Sequence, residues 1–231
     1  MPVVLGLCSP ILSQQTDLES QARSFASEIT DLLNKTVTDG IRISSVFTPS
    51  RGLIVGYKVN KTNPNPQRLP LTLGKKPRAW LWMVHGLDLD SEGLHLMSAS
   101  SSYDLFVTED EHREALVGID YTREPANEYP AVHLHVDGIR DDLDAACGQS
   151  TKLIDLHLPV GGKRYRPVLE DLIEFAILEG MADPRDGWEK ALKDHRERWF
   201  VLQLKAAVRR HPDIAADQLK KAGYTLTGPE S

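Results

Sequence analysis

From Ile41 to Val136 the chain offers one extended run after another, and no helix-length stretch separates any two of them. A parallel pair of strands needs a crossover of a dozen or more residues, usually helical. Runs this closely spaced pair antiparallel, as a meander rather than as βαβ units. The predicted strands are Ile41–Thr48, Leu53–Val59, Ala79–Leu87, Leu94–Ser100, Tyr103–Thr108, Leu116–Arg123 and Ala131–Val136. The sheet is expected to end in the last of these, with Asp137 at its tip. Lys61–Pro77 holds Pro64, Pro66, Pro70 and Pro77 and reads as a loop, because proline fixes φ and removes a ladder donor. It is longer than an ordinary connection, which marks it as mobile or functional. The Ser100–Ser102 run reads as a strand irregularity, with nothing to make any of its serines a nucleophile.

Helices flank these runs. Leu18, Ala22, Phe25, Ile29 and Leu32 share one helical face, predicting a helix over Asp17–Lys35. Thr16 and Glu19 fit a capping box at its start, and Gly40 lies just past its end. Pro167–Glu179 is apolar almost throughout. Trp188–Arg210 carries Trp188, Leu192, His195, Trp199, Leu202 and Ala206 at alternating four-three spacing. Pro212 suits the first turn of a final short helix and Gly223 its end. The fold class is therefore α+β, an antiparallel meander sheet preceded by one N-terminal helix and followed by three C-terminal helices. Residues 1–150 form the sheet domain, and residues 151–231 a helical region expected to pack on it as one compact unit.

The 231 residues are 41% hydrophobic, enough for a core, yet no apolar run approaches the roughly 20 residues of a membrane helix. The start lacks a basic flank and a cleavage-like segment, so no signal peptide is expected. Two cysteines, Cys8 and Cys147, are too few for a disulfide framework and lack metal-ligand spacing. A reducing cytosol is the simplest compartment. The net charge of −6 is unevenly spread. Residues 88–146 hold 3 basic and 15 acidic side chains, a local charge of −12. Nucleic acid needs a basic surface, so such a partner is confined to the N-terminal third or the C-terminal helices. The basic residues there, among them Arg196, Arg198, Lys205, Arg209, Arg210, Lys220 and Lys221, alternate with acidic ones, as on a solvated face.

The chemistry-bearing residues gather on the last strand. His133, His135 and Asp137 share a strand face, and imidazole and carboxylate are good zinc ligands. The string resembles the His-x-His segment of barrel amidohydrolases over about six residues. Those enzymes need a (β/α)₈ barrel with the motif on its first strand, which a meander excludes. Strand pairing carries more. Aligning Val117, Ile119 and Tyr121 with Val132, Leu134 and Val136 fixes the register. The opposite face then collects Gly118, Asp120 and Thr122 beside His133 and His135, with Asp120 near His133. A carboxylate there can orient an imidazole as a general base or behind a metal. It can equally form an ordinary cross-strand ion pair on the wet face of a sheet. His85 and His157 are candidates for a further ligand.

Ahead of the first C-terminal helix, Gly161 and Gly162 precede Lys163, Arg164 and Arg166. Open amides, three cations and a helix N-terminus would suit a phosphate or carboxylate. A tight turn whose arginines meet the acidic middle segment is the plainer reading. The spacing is not that of a P-loop.

Tyr129–Val136 and His157–Pro167 resemble segments of a family of uncharacterised actinobacterial proteins, similar to accessory genes of bacterial chromosomes and prophages. The resemblance covers roughly the last hundred residues. It implies a bacterial cytosolic origin and brings no activity or catalytic residue with it.

Three functions follow as expectations. The first is a binding or regulatory protein that contacts a protein partner, as in defence or toxin–antitoxin systems. The second is a hydrolase of a phosphoester or nucleotide, with His133 and His135 as catalytic base or metal ligands, Asp120 as the catalytic group's orienting carboxylate, and Lys163, Arg164 and Arg166 as an anion clamp. The third is nucleic-acid binding through the C-terminal helices. No cofactor is implied, the metal is undetermined, and no membrane contact is expected.

Overall fold

A computed structural model describes residues 10–49, 52–90, 92–110, 112–126, 130–138, 153–155, 158–160 and 167–227. Helix α1 (Pro10–Thr36) leads into an eight-stranded antiparallel sheet. Its strands are β1 (Ile43–Thr48), β2 (Gly52–Tyr57), β3 (Leu69–Leu73), β4 (Lys76–Leu89), β5 (Leu96–Phe106), β6 (Val117–Thr122), β7 (Val132–Val136) and β8 (Leu158–Pro159). Helices α2 (Leu169–Leu178), α3 (Trp188–Arg210) and α4 (Pro212–Lys221) follow. The α+β class, the meander and the three C-terminal helices agree with the sequence reading. Among the described residues no helix is long and apolar enough to cross a membrane.

The sheet runs β1-β2-β4-β5-β6-β7-β8, and β3 pairs with β4 as well. Strand β4 is long enough to serve two neighbours on one side. Its C-terminal half pairs with β2 (Leu53↔Leu87, Gly56↔Val84) and its N-terminal half with β3 (Leu69↔Leu81, Leu71↔Ala79). Strand β3 lies inside the segment expected to be loop. Pro70 is tolerated because β3 pairs on one side only, so its missing donor costs no ladder bond. The turn into β4 is two residues, Gly74 and Lys75, both at positive φ (61° and 64°), the backbone that matches hairpin twist.

Three further expectations are corrected. Helix α1 begins at Pro10, so Thr16 lies inside it and is no cap. Ser100–Ser102 sit in regular ladders with both β4 and β6, and the register shift falls just before them, where Gly86 pairs with Ser100 and Leu87 with Ser98. The sheet does not end at β7, because β8 adds to its edge (His133↔Pro159, Leu134↔Leu158).

Alternation divides the sheet into two faces. One carries Val55, Leu81, Met83, Tyr103, Leu105, Ile119 and Val132, all buried. Helix α1 buries Ala22, Phe25, Ala26, Ile29 and Leu33, and it lies against β1 and β2. Each large apolar side chain removed from water contributes about 1.5–3 kcal/mol. Phe25 meets His85 edge-on at 4.8 Å, so His85 belongs to this packed face. Gln21 fixes the helix to the β4–β5 turn, accepting from Leu96 N–H and donating to the Leu94 carbonyl.

The chain divides into two units, Met1–Trp188 and Glu189–Ser231. In the second, α3 keeps the predicted bounds, but of its stripe only Leu192 is buried, and Leu202 is exposed. Trp199 donates its indole N–H to His195 at 3.2 Å, and Lys190 and Lys221 pair with Asp194 and Asp217 one turn away.

Candidate functional site

The other face of the sheet is polar where β5, β6 and β7 meet. Register builds it in two rows. Val84, Ser102, Asp120 and His133 are successive cross-strand partners, and so are Trp82, Asp104, Gly118 and His135. The β6–β7 register is the one expected from the apolar alternation, with Asp120 opposite His133.

Asp120 lies between the two imidazoles. Its Oδ2 is 3.4 Å from His135 Nε2 and 3.8 Å from His133 Nε2. The rings stand nearly perpendicular with centroids 5.0 Å apart. His133 Nδ1 is 3.0 Å from the Pro130 carbonyl, and His135 Nδ1 is 2.7 Å from the Ile154 carbonyl. A carbonyl oxygen only accepts, so each Nδ1 carries the proton and donates. In the neutral ring Nε2 is then the atom that presents a lone pair, and both Nε2 atoms are directed at the same carboxylate. One donor atom from each of Asp120, His133 and His135 lies within 4.8 Å of the other two. The histidine side chains are mostly enclosed, 11% and 20% exposed, whereas Asp120 is 36% exposed. The carboxylate therefore faces a cleft of about 310 Å³ lined by Ser100, Ser102, Thr122 and Pro130.

Asp104 joins this group, and sequence reading missed it. Gly118 leaves the space: a Cβ there would lie 2.5 Å from Asp104 Oδ1. Burial pushes the Asp104 carboxyl up to about 7, the Asp120 and Glu114 charges add to the rise, and His135 and Arg68 oppose it. The signal was the alternation Ser100, Ser102, Asp104 on the polar face of β5, opposite a glycine. Only the β5–β6 register joins them.

Other candidates fall away from this site. His85 lies on the packed face. Asp137 sits beyond the end of β7 and is exposed. His157 and the proposed anion clamp, Lys163, Arg164 and Arg166, lie outside the described residues. Pro159, four positions before Lys163, stands opposite His133. Asp90, Glu92 and His95 also cluster, but Asp90 accepts from the Leu94 and His95 amides and so closes the β4–β5 turn.

Comparison with family models, with curated proteins and with solved structures finds no match. The site is read from its geometry.

Proposed function

We propose that the protein is a metal-dependent hydrolase of a phosphoester or nucleotide, with Asp120, His133 and His135 holding the ion. One observation carries this reading: two imidazoles, each anchored through Nδ1 to a backbone carbonyl, direct Nε2 at one carboxylate from 3.4 and 3.8 Å. A charge-assisted hydrogen bond would close to about 2.7–2.9 Å. Tetrahedral zinc with ligand bonds of about 2.0–2.1 Å sets its donors roughly 3.3 Å apart. The spacing suits donors around an ion better than an ion pair, and carbonyl-anchored imidazoles are the usual support of such ligands.

Three protein ligands leave one position for water, which a divalent ion makes nucleophilic near neutral pH. Asp120 lines the 310 Å³ cleft, where Ser100, Ser102 and Thr122 would offer hydroxyls to a substrate oxygen. Lys163, Arg164 and Arg166 would supply the anion contact.

Elemental analysis of the purified full chain tests this. The expected result is about one equivalent of a transition metal, lost in the His133→Ala, His135→Ala double variant together with hydrolysis of a nucleotide panel. Metal-free protein that takes up neither zinc, manganese, cobalt nor nickel would sink the proposal.

A second reading, a binding or regulatory protein, draws on α3 and α4. Phe200, Leu204 and Val208 recur every four residues and are exposed, as are Ile214 and Leu219. An exposed apolar face of this kind favours a protein partner. Capture experiments with Phe200→Glu, Leu204→Glu decide it: a partner of this face is lost, and one retained by the variant counts against the reading.

A further inference from the structure

The proline-rich segment before β3 takes no part in the histidine cluster, yet it is folded down onto the same sheet face. Pro66 rests on Gly56, where a Cβ would come within 2.9 Å of Pro66 Cγ. Trp82 donates its indole N–H to the Pro66 carbonyl at 3.0 Å, and Gln67 N–H donates to the Tyr57 carbonyl at 3.0 Å. At the other end, the Arg68 guanidinium stacks 3.5 Å over Phe106. It also donates to the carbonyls of Asp110, Arg113 and Thr108 at 2.8, 3.3 and 3.4 Å. These contacts hold both walls of a cleft of about 900 Å³. That is within the range of roughly 300–1,000 Å³ of small-molecule sites, which are largely pre-formed.

The lining specifies a ligand class. Tyr57, Trp80 and Trp82 supply aromatic surface, and the carboxamides of Asn63, Asn65 and Gln67 stand at the same cleft. Trp80 and Trp82 are two apart on β4, about 6.8 Å along the strand, and both are half-buried. Both signs of charge stand at the cleft, Lys58 and Arg68 with Asp104 and Glu109, and the Arg68 guanidinium is engaged by carbonyls and by the Phe106 ring. The cleft therefore lacks a phosphate clamp and suits a neutral, flat ring with a polar edge. A heterocyclic base stacks on aromatic side chains with either face, and its donor–acceptor edge matches a carboxamide. Asp104 lines this cleft and also stands opposite Gly118 in the row that ends at His135. The cleft thus opens on the same sheet face as the histidine cluster.

We propose that the Trp80–Trp82 cleft binds the base of a nucleoside or nucleotide and so presents the remainder of the molecule toward Asp120, His133 and His135. The binding step stands on the cleft alone, whereas its use in hydrolysis rests on the proposed function above.

Titration of the full chain with adenosine, guanosine, cytidine and uridine, followed by calorimetry and tryptophan fluorescence, tests it, with methyl glucoside as a ring that cannot π-stack. At least one nucleoside should bind saturably. Trp80→Ala should weaken it by roughly 5- to 150-fold with an unchanged circular dichroism spectrum, and Trp80→Phe should recover part of the loss. Failure of all four nucleosides, equal binding of methyl glucoside, or wild-type affinity in folded Trp80→Ala would each overturn the proposal. The two readings fail separately: nucleoside binding without metal leaves this cleft and removes the hydrolase, and metal without nucleoside binding does the reverse.

Discussion

Ionising Asp104 would place a charge where burial disfavours it, and beside the negative charge of Asp120. That is why its carboxyl is pushed up to about 7. The consequence for stability has a definite sign. The unfolded chain releases this proton near 3.9, the folded chain only near 7, so the folded state binds the proton more tightly. The contribution of Asp104 is fully present below about pH 4 and is lost as pH rises toward 7. Asp104→Asn cannot ionise and lacks this decline. Urea unfolding of chelator-treated protein at pH 5, 6 and 8 should show the wild type losing stability relative to the variant as pH rises. Parallel profiles would show that Asp104 is as well solvated folded as unfolded. Gly118→Ala bears on the same contact more gently, because the added Cβ meets the end of a short side chain that can turn away.

At the level of elements, Gly56 is the less forgiving glycine. A Cβ there meets the Pro66 ring at 2.9 Å and the Met83 carbonyl at 3.1 Å, and β4 backbone cannot give way. Gly56→Ala should lift the proline-rich segment, break the Trp82–Pro66 hydrogen bond and cost about 1–3 kcal/mol. Urea midpoints measure the cost, and a red shift of tryptophan emission reports the opening. An unchanged spectrum would mean that the segment does not rest on the sheet. The elements themselves were unequally legible. The β6–β7 register could be read because three apolar residues alternate on each strand, and a one-residue slip would turn the three of the slipped strand to the opposite face. Strand β3 was hidden by Pro70, which forbids a central strand but not one paired on a single side. Strand β8 has two residues, too few for any period. The α3 stripe had the right spacing, but spacing alone does not fix burial along it: Leu192 is buried and Leu202 exposed. Asp120, His133 and His135 were legible through one hairpin. Asp104 was not, because the apolar alternation did not fix the β5–β6 register that sets it opposite Gly118, and the tryptophan cleft was not, because it joins residues from Tyr57 to Glu109.

For the whole molecule, the charge distribution and the site point the same way. Residues 88–146 carry a net −12, and Asp104 and Asp120 lie within that span. A field of that sign draws cations toward the cleft and raises their local concentration. An ion bound by the native histidines and Asp120, and not by the unfolded chain, stabilises folding by mass action. At 100-fold its dissociation constant the gain is about 2.7 kcal/mol, worth roughly 5–10 °C in Tm at this chain length. The shift belongs to the transition of the Met1–Trp188 unit, which contains every ligand. Calorimetry of the full chain with and without zinc should show that transition rise while any separate transition of Glu189–Ser231 stays in place. His133→Ala and His135→Ala should each reduce the rise, and the double variant should abolish it. Because attraction by the acidic segment is screened by salt, the metal affinity should also fall between 50 and 500 mM sodium chloride. A metal-induced rise that survives in the double variant would place the ion elsewhere.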